Sequence, residues 1–356
     1  MDSRVTETVF TQSVQDMAEK ANVFGAVLSV ENGDGTLSWT GAEGNIKEDD
    51  RYFLTSVTKL LITIVILKLR EKNRLQLEDK IQDYLPEPLL DGLHVLYSRE
   101  HSYDITIKHL LSNTSGLPDY LSSKQENGKK GEYNLFKEGQ DEAWPLEKVL
   151  KAVKVQKPLF KPGKEGKVYY ANTNHRLLGA VIEEITGTGI GEVFNREIFE
   201  PLQLKNTYVY NGEPDRALVP MYMNRQQLNI PRCMASVTAE GGVVSTAADT
   251  MTILKAFFQG TFFPPERLKE LEKWNFVSIM MQFYFGIGLE KLWVPRLLSP
   301  TKPIDDVLGF WGSSGAFAFY HRETDLYFTG TVNQSSGFAH NAAYKAIINI
   351  IKAHLP

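Results

Sequence analysis

The chain has 356 residues, 42% hydrophobic and 23% charged, with a formal net charge of −4. That length fits about two domains, and that composition is ordinary for a globular core. A slightly acidic chain with no long basic run argues against a dedicated nucleic-acid surface. Cys233 is the only cysteine, so an intrachain disulfide and a thiolate metal cluster are excluded. The seven histidines are scattered without ligand spacing, and neither a metal nor a cofactor is expected.

The first residues, Met1-Asp2-Ser3-Arg4-Val5-Thr6-Glu7, lack the basic-then-apolar pattern of an export signal. The longest apolar run, 60–67, is too short to cross a bilayer, so no membrane span is expected. The expectation is a soluble protein, either cytoplasmic or exported with its signal already removed. Residues 8–21 read as an amphipathic helix. Residues 23–30 and 35–41 read as strands, joined by the hairpin signal Asn32-Gly33-Asp34. A polar connector at 48–53 leads into a helix over 57–70 that is apolar nearly all round and should be buried on most sides.

Helical patterning continues at 105–112, 146–154, 173–186, 190–199 and 247–259. The stretch 122–143 is polar and rich in Gly, Lys and Glu, and reads as an exposed insertion or a lid. Strands return at 284–290, 315–320 and 326–333. A last helix over 338–354 places Tyr344, Ile347, Ile348 and Ile351 on one face. Strands at both chain ends imply an α/β fold: an antiparallel sheet flanked by terminal helices, with a mostly helical domain inserted. The expected boundaries are 1–58 and 275–356 for the sheet domain and 59–274 for the helical one.

Ser56-Val57-Thr58-Lys59 falls at that seam, where clefts form. At i and i+3 of a helix the hydroxyl and the amine share a face. They also sit at the end that carries free N–H groups and partial positive charge. A serine there has a neighbouring base and a field that favours developing negative charge, the two needs of a nucleophile. The competing reading is a helix N-cap serine with a solvated lysine. A second such tetrapeptide, Ser299-Pro300-Thr301-Lys302, lies in a proline-rich segment and reads as loop.

Two Tyr-x-Asn triplets occur, Tyr170-Ala171-Asn172 and Tyr222-Met223-Asn224; the first stands on a turn entering a helix, well placed to present a phenol to a cleft. Near the C-terminus, Gly309-Phe310-Trp311-Gly312-Ser313-Ser314-Gly315 leads into a strand, and its small residues let backbone approach a ligand closely.

Ser-x-x-Lys, then Tyr-x-Asn, then a Gly-rich strand: this order resembles the serine β-lactamase and penicillin-binding-protein superfamily. The nearest likeness is to its class C β-lactamase branch, which includes D-Ala-D-Ala carboxypeptidases and carboxylesterases. Ile105–Pro118 (ITIKHLLSNTSGLP), Ile198–Thr207 (IFEPLQLKNT) and Glu240–Thr246 (EGGVVST) are similar to further segments of that branch, so the likeness covers about 20–350.

The resemblance implies a β-lactamase/transpeptidase-like sheet domain and helical domain, with the site between them. It implies Ser56 as the acylated nucleophile, Lys59 as its activating partner and Tyr170 as the proton shuttle. Asn172 would hold a substrate carbonyl, and the backbone N–H groups of Ser56 and Ser313 would form the oxyanion hole. Lysine and tyrosine start near ~10.4 and ~10, so either can hold the serine proton and the two should titrate as a coupled pair.

The third motif departs from the family's Lys-Thr-Gly or His-x-Gly. Phe310 stands where a cation or donor is usual, followed by Trp311, Gly312 and Ser313; these four are expected at the substrate. Two registers are open, with either aromatic as pocket wall or as core. Arg232, Lys108 and Arg322 are the candidate substitute cations. Asn113 replaces the usual histidine of the Thr-Ser-Gly segment and is expected to act at one remove from the site. A phenyl ring cannot bind a carboxylate, which favours a small-molecule or peptide ester or amide without one beside the scissile bond over a β-lactam or D-Ala-D-Ala substrate. The competing functional reading is a receptor that is acylated and stays acylated, or a pseudoenzyme that only binds.

Overall fold

The structure, a computed structural model, describes residues 3–122, 124, 128–136, 138–278, 283–335 and 337–355. Its main sheet has eight strands, every pairing antiparallel. The order runs Asn275–Ser278, Phe283–Phe285, Glu290–Leu292, Val307–Trp311, Ala316–His321, Leu326–Thr331, Gly25–Asn32 and Ser38–Gly44. The two ends of the chain thus complete one sheet, with Val27 opposite Thr331 and Val30 opposite Phe328. The single predicted strand over 284–290 is instead two short strands, broken at Gly286–Leu289.

Alternation along these strands separates two apolar layers. Ala26, Leu28, Val30, Phe317, Phe319 and Phe328 face the terminal helices Ser3–Ala18 and Gly337–His354. The second helix buries Tyr344, Ile347, Ile348 and Ile351, the face read from periodicity. On the opposite face the helix Ala247–Phe258 lies on the sheet, where Thr329 donates to the Ala247 carbonyl.

The helix Thr58–Glu71 is buried all round from Thr58 to Leu67, as its unbroken apolar composition requires. The helix Asn172–Thr186 stops at Gly187, whose φ of 70° supplies the left-handed C-terminal cap. The 122–143 insertion is not simply solvated: its short helix Gly131–Phe136 buries Leu135, and Asp141 accepts from the N–H groups of Arg232 and Cys233. Residues 123, 125–127 and 137 of that insertion lie outside the described residues. Among the described residues no helix is long and apolar enough to cross a membrane.

Candidate active site

The segment before Ser56 is tied to the strand Val243–Ser245. Tyr52 and Phe53 pair with Ser245 and Val244, and the Leu54 N–H reaches the Val243 carbonyl at 2.8 Å. This brings Glu240-Gly241-Gly242 beside the start of the Thr58–Glu71 helix. Ser56 lies in the short 3-10 turn Thr55–Val57, and no side chain caps that turn or the helix after it. The N-cap reading of Ser56 therefore gives way to another arrangement. Lys59 is fully buried, and its Nζ donates to Ser56 Oγ at 2.7 Å, Asn172 Oδ1 at 2.9 Å and the Glu240 carbonyl at 3.0 Å. Three donors meet three acceptors, so the ammonium is held in a single orientation.

Tyr170 stands 5.2 Å from that nitrogen, measured to its ring centre. Asn113, fully buried at a φ of 57°, brackets it: the Tyr169 N–H donates to the Asn113 carbonyl at 2.9 Å and the Ala171 N–H to Asn113 Oδ1 at 3.1 Å. The residue expected to act at one remove thus fixes the backbone on both sides of the phenol. Rings support it from below in a chain, Tyr170 on Phe285 at 5.8 Å and Phe285 on Phe310 at 6.0 Å. The second triplet differs: Tyr222 lies on the small strand Met221–Met223, outside the cavity lining.

The third segment settles the two registers. Phe310 is fully buried beneath Phe285 and takes no part in the cavity wall, correcting its expected place at the substrate. Trp311 is the wall, packed edge-on against Phe319 at 4.9 Å and His340 at 5.5 Å. Gly312 follows, and a Cβ there would lie 2.2 Å from the Leu54 carbonyl oxygen; only glycine lets the strand end approach the Ser56 turn. The Gly312 carbonyl accepts from the Gly315 N–H at 3.0 Å and from His340 Nε2 at 2.7 Å. Ser313 lines the cavity beside Ser56.

The cavity measures about 400 Å³ and opens over Ser56, Tyr170 and Asn172. Its lining includes the apolar side chains of Leu135, Met221, Ile230, Met234 and Val237. Its ionisable lining consists of Asp119, Glu240 and Glu290, with Cys233, His340 and three tyrosines; no lysine or arginine appears among the described lining residues. The candidate cations lie elsewhere. Lys108 pairs with Glu78, Arg322 with Asp306 and Glu272, and Arg232 is exposed.

Burial governs the protonation states. It pulls the Lys59 ammonium down to about 8, against the opposing pull of the Glu240, Glu290 and Asp119 carboxylates. It drives the Tyr170 phenol well above its ordinary range, with Glu290 adding to the rise and the Ser56 hydroxyl opposing it. Glu290, 2% exposed, is pushed up to about 8 by burial, although the Trp311 N–H donates to its Oε2 at 2.9 Å. Asp119 is raised by burial as well, against the N–H groups of Ser122, Asn172 and Leu121.

Glu290, Glu240 and Asp119 were not legible as site residues. Glu290 carries no motif, and only the strand register that sets it opposite Gly309 brings it to the cavity. Glu240 and Asp119 lie at the edges of segments quoted for their family likeness, the one signal that pointed to them.

A family model described as Beta-lactamase matches residues 10–350. A penicillin-binding protein of Bacillus subtilis (strain 168) is 28% identical over 210 residues, 55% of this chain and 40% of that protein. The chain therefore spans less than half the length of that curated relative. Among solved structures, a D-stereospecific amidohydrolase from Streptomyces sp. superposes with a TM-score of 0.79 at 25% identity, covering 98% of each chain. EstCE1, a hydrolase with promiscuous acyltransferase activity, gives a TM-score of 0.79 at 21% identity, covering 97% of this chain and 99% of its own.

Proposed function

Since the chain belongs to the beta-lactamase family and is similar in fold to an amidohydrolase and to a hydrolase with promiscuous acyltransferase activity, we propose that it is a serine hydrolase working through an acyl-enzyme on Ser56. The observation that carries this reading is the buried Lys59 amine, 2.7 Å from Ser56 Oγ and oriented by Asn172 and Glu240. A lysine held near 8 is partly neutral at physiological pH, whereas a buried phenol stays protonated. Lys59 is thus the proton acceptor and Tyr170 the relay.

Ser56 Oγ attacks the substrate carbonyl carbon as its proton passes to Lys59. The oxyanion forms against the N–H groups of Ser56 and Ser313, donors worth roughly 3 kcal/mol each in comparable enzymes. Collapse expels the alcohol or amine, which takes the Tyr170 proton; Tyr170 regains one from Lys59. Water then attacks the ester at Ser56 by the reverse relay. With Oδ1 held by Lys59, the Nδ2 of Asn172 is the donor for a substrate carbonyl.

The substrate is an ester or amide with no carboxylate beside the scissile bond. The described lining residues include carboxyl groups and neither lysine nor arginine to pair with an anion, and the apolar lining suits an alkyl or aryl group. Steady turnover of p-nitrophenyl butyrate, together with fluorophosphonate label on the Ser56 peptide, tests the reading against Ser56→Ala. A single burst without turnover would favour a receptor that stays acylated. Equal rates in both proteins would refute the proposal.

A further inference from the structure

Thr55, next to the proposed nucleophile, has a φ of 43° although it is β-branched. Such a residue resists the left-handed region, so the surrounding structure must hold it there. The side-chain hydrogen bonds that hold it run to one residue, Ser314. The Ser314 N–H donates to Thr55 Oγ1 at 3.1 Å, the two hydroxyl oxygens lie 3.2 Å apart, and Ser314 Oγ donates to the Phe53 carbonyl at 2.6 Å. One proton arrangement satisfies all three: with the Ser314 hydroxyl given to Phe53, the Thr55 hydroxyl donates to Ser314 Oγ and accepts from its N–H. Thr55 is 7% exposed and Ser314 2%, so these bonds are shielded from water.

This clamp joins the residue before Ser56 to the residue after Ser313. We infer that Thr55 is a positioning residue for acyl transfer: its clamp on Ser314 sets the spacing between the two backbone donors of the oxyanion hole. The donors belong to different parts of the chain, and nothing local fixes their separation. The peptide on one side of Ser313 is held through the Gly312 carbonyl by Gly315 and His340. The peptide on the other side is held by Thr55. Together these leave the Ser313 N–H a single direction. The inference rests on the acyl-enzyme reading above.

The test measures kcat and KM for p-nitrophenyl butyrate, the rate of fluorophosphonate labelling and the melting temperature for Thr55→Val, Thr55→Gly and Thr55→Ser. Thr55→Val keeps the shape and removes the oxygen. It should lower kcat and the labelling rate about 10- to 100-fold, the scale of a misplaced donor, with KM within about threefold. Thr55→Gly should lose a similar factor in kcat, and its relief of the backbone conformation should offset part of the stability lost with the buried hydrogen bonds. Thr55→Ser, which keeps the oxygen, should restore most of the rate. Ser314→Ala, which keeps the N–H, should lose less than Thr55→Val. An unchanged kcat in Thr55→Val, or equal losses in the Ser and Val variants, overturns the inference alone. Absence of Ser56-dependent turnover in the unmodified chain overturns the hydrolase reading and this inference with it.

Discussion

Ser56 and Lys59 lie three residues apart at the start of one helix, and their contact is a product of local geometry. The Gly312–Gly315 turn reaches the same cavity from between two central strands of the sheet, and its contact between Thr55 and Ser314 closes a separation of 259 residues. A local pair survives any arrangement that keeps its helix. A distant one depends on strand register, on a glycine small enough for close approach and on buried bonds between the two segments. Changes at the corner that supplies the nucleophile are therefore expected to be felt in rate with little loss of fold, whereas the corner that supplies the second donor owes its place to packing between distant segments and is expected to respond in both.

The largest effects should come from the local corner. Lys59→Ala should reduce kcat/KM for an activated ester by about three orders of magnitude or more, the scale seen when a serine loses its base. Its fold should persist, read by far-UV circular dichroism; a loss below tenfold would show that another group takes the proton. Tyr170→Phe, which keeps the ring packing on Phe285, should lose about 10²- to 10⁴-fold in kcat, the span of general acid–base catalysis.

At Phe310, buried beneath the distant corner, the response shifts from rate to stability. Phe310→His should cost about 2–4 kcal/mol in a denaturant titration, because it replaces a fully buried ring by a polar one with no partner. It should bring no gain in binding of carboxylate substrates. Such a gain would mean that position 310 reaches the cavity after all.

The smallest effect is a pH dependence. In Glu290→Gln, removing the carboxylate that raises the Lys59 pKa should move the rising limb of kcat/KM, expected near 8, to lower pH. The carboxyl of Glu290 is raised on folding, so its contribution runs against stability as pH climbs. Wild type and variant should melt alike below about pH 4.3, where Glu is protonated in both folded and unfolded chains. The variant should gain relative stability up to about pH 8 and hold that gain beyond it. A melting difference independent of pH would remove Glu290 from the titrating set.

The same contrast explains what could be read in advance. The buried helix at 58–71 is visible in its unbroken apolar run, and the helix at 146–154 and the last helix in periodicity, because both signals are local properties. The hairpin across 33–37 is visible in its turn residues, and the strands within 316–331 in their apolar runs, which are local signals too. Ser56, Lys59, Tyr170 and Asn172 do come together, and Ser313 lines the same cavity. Phe310 and Trp311 were exchangeable on paper, because a strand has two faces and its sequence does not say which lies over the cleft. Asn113 appears as a departure from a family pattern; its grip on both sides of Tyr170 comes only from the turn that packs beside it.

The order of residues by itself determined the i, i+3 pair, the alternation that makes a sheet from both chain ends and the family likeness that joins three segments. Tertiary structure alone decided which aromatic faces the cavity, that Asn113 brackets the phenol, that Thr55 grips Ser314 and that Glu290 is kept near 8. The reason is physical: periodicity is carried by neighbours along the chain, whereas burial and hydrogen bonding between distant segments exist only once the chain has closed on itself.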